Sequence, residues 1–96
     1  MKEINANDLK ARLNAGEKVI LLDVRQPEEH EAQHIPNSML IPLGELEERI
    51  DELEEYRDKE IIVYCRSGAR SGQACMFLEM LGFEHPINLR GGMLSW

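Results

Sequence analysis

Two stretches of this chain carry side chains able to do chemistry. CRSGARS, residues 65–71, sets a cysteine ahead of two arginines, two serines and a glycine. HEAQH, residues 30–34, fits the H-E-x-x-H spelling in which two histidines one helical turn apart hold zinc and the glutamate acts as general base. The first spells a nucleophilic thiol in an anion cradle, the second a zinc protease.

The elements around the cysteine favour the first. An apolar run at 61–64 reads as a parallel strand, CRSGARS follows at once, and a helix begins near Ser71. A short loop from the carboxyl end of such a strand into a helix turns successive backbone N–H groups toward one point, which the positive end of the helix dipole also faces. That nest binds anions. It would favour the Cys65 thiolate, and Arg66 and Arg70 would favour it further or meet an incoming anion. Gly68 permits a tight turn, Ser67 and Ser71 can donate to sulfur or to an oxyanion, and small residues at 67, 68 and Ala69 keep the cradle open. A cysteine with such polar neighbours makes a poor core segment. Cys75 is the opposite case, a thiol among Ala74, Met76, Phe77 and Leu78 that we expect to be buried.

The positioning elements alternate. Residues 19–24 and 61–64 are consecutive apolar, β-branched runs suited to strands covered on both faces. Weaker strands are expected at 38–41 and 87–89, with a short edge at Glu3 and Ile4. A first helix is capped by Asn5, carries Leu9 and Leu13, and ends before Gly16. A second sets Leu43, Leu46, Ile50 and Leu53 on one stripe with an acidic remainder, read as a solvated amphipathic helix. A third runs from about Ser71 to Leu81, with Ala74, Phe77, Leu78 and Leu81 as its strongest stripe, and should be the most buried.

Ninety-six residues suffice for one domain. No apolar run approaches the roughly 20 residues of a membrane span. A formal net charge of −7 argues against nucleic acid as a partner. The amino-terminal residues lack the apolar stretch of a secretory signal, which places the expectation in the cytoplasm, where both cysteines are thiols.

The loop YCRSGARS resembles the active-site loop of rhodanese-like sulfurtransferases, and three further segments agree in order. Leu22-Asp23-Val24-Arg25, then Glu29, then His34-Ile35-Pro36 resemble the family's first signature, in which D-V-R leads to a glutamate, an aromatic and G-H-I-P. Met39-Leu-Ile-Pro42 is similar to the strand and proline that follow it, and Arg90-Gly91-Gly92-Met93 with Trp96 to the closing G-G-x-x-x-W. His30 stands where an aromatic is usual and Gln33 where glycine is usual.

Those two departures create the HEAQH spelling. Pro27 and Pro36 leave room for at most about two helical turns there, and His85, the remaining histidine, also precedes a proline. We therefore expect no metal, with His34 a structural hydrogen-bonding residue near the cleft and Asp23, Arg25 and Glu29 a polar network supporting the loop.

The resemblance implies a single rhodanese-like domain over 1–96: a three-layer α/β fold with a central, mostly parallel five-stranded sheet and helices on both faces. It also implies a reaction. The Cys65 thiolate takes the outer sulfur of a donor such as thiosulfate and passes it from a persulfide to cyanide, a thiol or a protein, with Arg66 and Arg70 on the donor's sulfonate and no organic cofactor. Two other classes compete. A partner-dependent sulfur carrier or binding module would use the same loop. A cysteine phosphatase or arsenate reductase needs C-x5-R, but position 71 is serine, and the resemblance associates a six-residue loop, here 65–70, with sulfur.

Overall fold

The computed structural model describes residues 1–96. Five strands, β1 (Lys2–Ile4), β2 (Ile20–Asp23), β3 (Met39–Leu40), β4 (Glu60–Tyr64) and β5 (His85–Leu89), form one sheet in the order β1-β5-β4-β2-β3. Every neighbouring pair is parallel. The helices are α1 (Ala6–Asn14), α2 (Pro27–Ala32) and α3 (Ala69–Met80), with 3-10 helices at Leu43–Glu45, Ile50–Tyr56 and Gly92–Ser95.

The central strands are apolar on consecutive residues because both faces of the sheet are covered. On β4 the two-residue period sends Ile61, Val63 and then Cys65 into a core cluster with Ala74, Cys75 and Leu78 of α3 and with Leu46 and Leu53. Ile62 and Tyr64 point the other way, into a cluster with Leu9 of α1, Ile35, Ile87 and Leu89. Pro86 is tolerated inside β5 because pairing with β1 begins only at Ile87, so its missing N–H faces no β1 acceptor.

Two helix expectations change. The acidic segment forms 3-10 helices in place of one α-helix. Its anchors Ile50, Leu53 and Tyr56 are spaced by three residues, the 3-10 period, and Glu48 with Glu52 or Asp51 with Glu55 would be like-charge neighbours on an α-helix. The third helix starts at Ala69, two residues before Ser71, because Gly68 at φ +105° turns the chain sharply enough to cap it. Its covered stripe is Ser71, Ala74, Cys75 and Leu78; Met76 and Met80 are exposed, so it is one-sided. The first helix forms as read, with the Asp8 N–H donating to Asn5 Oδ1 at 2.8 Å. No helix is long and apolar enough to cross a membrane.

Candidate active site

β4 delivers Cys65 to the carboxyl edge of the sheet, 1% exposed. Only Arg66, Ser67 and Gly68 separate it from α3. The first bond of that helix runs from the Gly72 N–H to the Gly68 carbonyl, so the N–H groups of Ala69 and Arg70 have no intrahelical acceptor. Around Cys65 Sγ the Gly68 N–H donates at 3.1 Å, and the Ser71 N–H and hydroxyl stand at 3.4 Å. Burial opposes a charge on the sulfur. The Ser71 hydroxyl and the N–H groups of Ser71, Gly68 and Ser67 outweigh it and hold the thiol below the ordinary cysteine range. The donors of the loop and helix start, expected from the sequence, thus do this work ahead of the guanidinium charges.

Asn88 holds this arrangement and went unread in the sequence. It is buried on β5, donates from Nδ2 to the Gly68 carbonyl at 3.2 Å, and accepts the Ser71 hydroxyl at Oδ1 at 2.5 Å. The Gly68 bond fixes which way the amide faces. Ser71 therefore has one proton and two acceptors, Asn88 Oδ1 and Cys65 Sγ, and charge on the sulfur draws that proton toward it. The available signal was a polar residue with low strand propensity inside Ile87-Asn-Leu89, just ahead of the paired glycines.

Those glycines close the loop from the other side. The Met93 and Leu94 N–H groups donate to the carbonyls of Cys65 and Arg66 at 2.9 and 3.0 Å. A Cβ on Gly92, at φ +54°, would meet the Cys65 carbonyl oxygen and would lie 2.6 Å from that of Arg66.

The arginines divide. Arg70, in the first turn of α3, makes a two-pronged ion pair with Glu29, with Nη1 to Oε1 at 2.8 Å and Nη2 to Oε2 at 3.0 Å. Glu29 also accepts the Gln26 N–H at 3.0 Å at the start of α2, and above all the Arg70 bonds pull its carboxyl down to about 2. Arg25 is buried against Asp23 and also donates to the Gln33 carbonyl at 2.6 Å. Arg66 is exposed and has no carboxylate partner. It borders a cavity of about 280 Å³ beside the loop, with Glu29, Ala32, Met93 and Leu94 also on its walls. The Ser67 side chain is likewise exposed and bonds nothing, so this residue contributes its N–H alone.

The polar network is two units. Asp23, 0% exposed, accepts from the Arg25 backbone and guanidinium and from His30 Nδ1 at 2.9 Å. Burial raises its carboxyl, and the Arg25 and His30 bonds more than reverse this. Glu29 belongs instead with Arg70. His34 is exposed, and its Nδ1 bonds the His30 carbonyl at 2.8 Å while the two rings stack at 3.9 Å. α2 ends at Ala32, so the two histidines of HEAQH do not share a helix face, and each Nδ1 is already engaged. The stacked His30 ring fills the place where an aromatic was expected, and Gln33 is extended at φ −165°, a conformation that needs no glycine. Cys75 is a free thiol at 0% exposure, pushed up by burial to about 12, and unfit as a partner nucleophile.

A cysteine at the carboxyl edge of a parallel sheet, ringed by N–H and hydroxyl donors at a helix start, defines a class of α/β thiol proteins. Comparison with known proteins narrows it. The family profile described as Rhodanese-like domain matches residues 5–96. A sulfurtransferase of Allochromatium vinosum is 38% identical over 96 residues, spanning 100% of this chain and 88% of that protein. The putative sulfur carrier protein YrkF of Bacillus subtilis is 42% identical over 98% of this chain and 50% of its own length. The crystal structure of a rhodanese-like domain protein from Staphylococcus aureus superposes with a TM-score of 0.88 at 33% identity, covering 100% of this chain and 91% of that one. The chain belongs to the rhodanese-like domain family.

Proposed function

We propose that the protein is a sulfurtransferase that carries a sulfane sulfur as a persulfide on Cys65. The observation that carries this is the Sγ atom itself, with its thiol lowered by N–H donors from the loop and the Ser71 hydroxyl at the start of α3. In the first half-reaction the Cys65 thiolate attacks the outer sulfur of a donor such as thiosulfate. A new S–S bond forms, the donor's S–S bond breaks, and sulfite leaves with the electron pair. In the second, a thiolate, cyanide or a protein thiol attacks the outer sulfur, and Cys65 departs as thiolate. The free N–H groups of Ala69 and Arg70 and the uncompensated Arg66 support a negative terminal sulfur and the departing anion. None of these steps requires a metal or organic cofactor.

The resemblance of the whole chain to a named sulfurtransferase supports this reading. The YrkF relative favours a variant of it, in which the persulfide is loaded and unloaded only by partner proteins. Ser71, turned inward to Asn88 and the sulfur, occupies the place where a phosphatase would need its arginine. Thiocyanate formation from thiosulfate and cyanide tests the proposal. Turnover by the parent and none by folded Cys65→Ser is the expected result; equal turnover by both, or phosphate ester hydrolysis that exceeds sulfur transfer, would overturn it.

A further inference from the structure

We infer that Glu29 selects the charge of the sulfur donor: by cancelling Arg70 it leaves Arg66 as the one free cation at the mouth, which favours a singly charged organic persulfide or thiosulfonate over doubly charged thiosulfate. This inference rests on the sulfur-transfer reading and specifies its substrate class.

Three observations carry it. The Glu29–Arg70 pair is two-pronged and held from both ends, the carboxylate by the cap of α2 through the Gln26 N–H and the guanidinium by its place in the first turn of α3. It therefore enters the field of the site as a neutral unit. Arg25, the other nearby guanidinium, is likewise neutralised by buried Asp23. Only Arg66 remains, on a chain whose net charge is −7, so a second negative charge on a donor finds no second cation.

The cavity beside the loop supplies the complementary half. Its wall sets Arg66 and the already paired Arg25 and Glu29 beside Ala32, Met93 and Leu94, the last of which is 65% exposed. One unpaired cation beside these three apolar side chains suits a donor with one anionic group and an organic substituent. Small dianions have nothing to place there.

The test compares loading of Cys65 from thiosulfate and from benzenethiosulfonate, a monoanion, in the parent, Glu29→Gln, Arg70→Gln and the double variant. Glutamine at 29 can still accept the Gln26 N–H. Releasing the Arg70 charge should speed thiosulfate loading relative to benzenethiosulfonate by about threefold or more at low salt, and less at high salt. Arg70→Gln, which leaves Glu29 unpaired, should shift the ratio the other way. The double variant removes a neutral unit and should return the ratio to that of the parent. If a single variant does not fold, the double variant is compared with the parent alone: a selective loss of thiosulfate loading in the double variant would mean that Arg70 holds the sulfonate itself, and would overturn the inference. Loading by both donors with the ratio unmoved across the set also overturns it while leaving sulfur transfer intact. Loading by neither donor in the parent would remove both.

Discussion

Replacing Gly92 by alanine tests how the closing loop fixes the cysteine cradle. The added Cβ would sit 2.6 Å from the Arg66 carbonyl oxygen and 2.7 Å from its carbon, against backbone that has no rotamer to yield. Relief requires moving the loop or the segment that donates from Met93 and Leu94 to the carbonyls of Cys65 and Arg66. A non-glycine residue at positive φ costs about 1–2 kcal/mol, and each weakened hydrogen bond adds about 1 kcal/mol, for a total of about 3–4 kcal/mol. Gly16 is the control. Its φ of +82° carries the conformational penalty, but nothing lies within 4 Å of its Cβ position, so Gly16→Ala should cost only that penalty, about 1–2 kcal/mol. Urea unfolding followed by circular dichroism gives both values, and a thermal melt should fall by roughly 12–32 °C for Gly92→Ala. Cys65 in that variant should also lose its lowered ionisation, read from the pH dependence of alkylation. Equal costs for the two variants, or an unchanged alkylation profile with Gly92→Ala destabilised, would refute the claim that this contact shapes the cradle.

Other outcomes follow from the same geometry. Ser71→Ala removes the one side-chain donor to the Cys65 sulfur, so the midpoint of alkylation against pH should move upward and the rate at neutral pH should fall several-fold. Glu29 is lowered from 4.5 to about 2 on folding, so its stabilising contribution is complete above about pH 4.5 and is lost as pH falls toward 2. Acid unfolding of Glu29→Gln should therefore be less steep across that window, as measured by circular dichroism. Arg25→Met leaves the buried Asp23 carboxylate with His30 as its remaining side-chain partner and should cost about 3–5 kcal/mol in urea unfolding, whereas a Lys2→Met change, which opens an exposed pair with Glu60, should cost far less.

The sheet was legible because its strands are buried on both faces: runs such as residues 61–64 leave little alternative, and a thiol followed by glycine, serines and arginines marks the end of such a strand. Local signals also placed α1, through the Asn5 cap. The acidic segment was misread because its apolar spacing mixes steps of three and four, and only the packed form shows that the three-residue steps prevail. The start of α3 depended on the left-handed turn at Gly68, which composition permits and does not demand. Arg66 and Arg70 look equivalent in the sequence. They differ because a glutamate 41 residues away folds onto one of them, a long-range pairing that no local pattern encodes. Asn88 and Gly92 also act through contacts remote in sequence, though at shorter separations.

Intact mass spectrometry after incubation with a sulfur donor, beside Cys65→Ser, tests the central claim most directly. The account predicts a gain of one sulfur atom on the parent alone, discharged by an added thiol or cyanide. A folded protein with reduced Cys65 that gains no sulfur from thiosulfate, benzenethiosulfonate or an organic persulfide would contradict it.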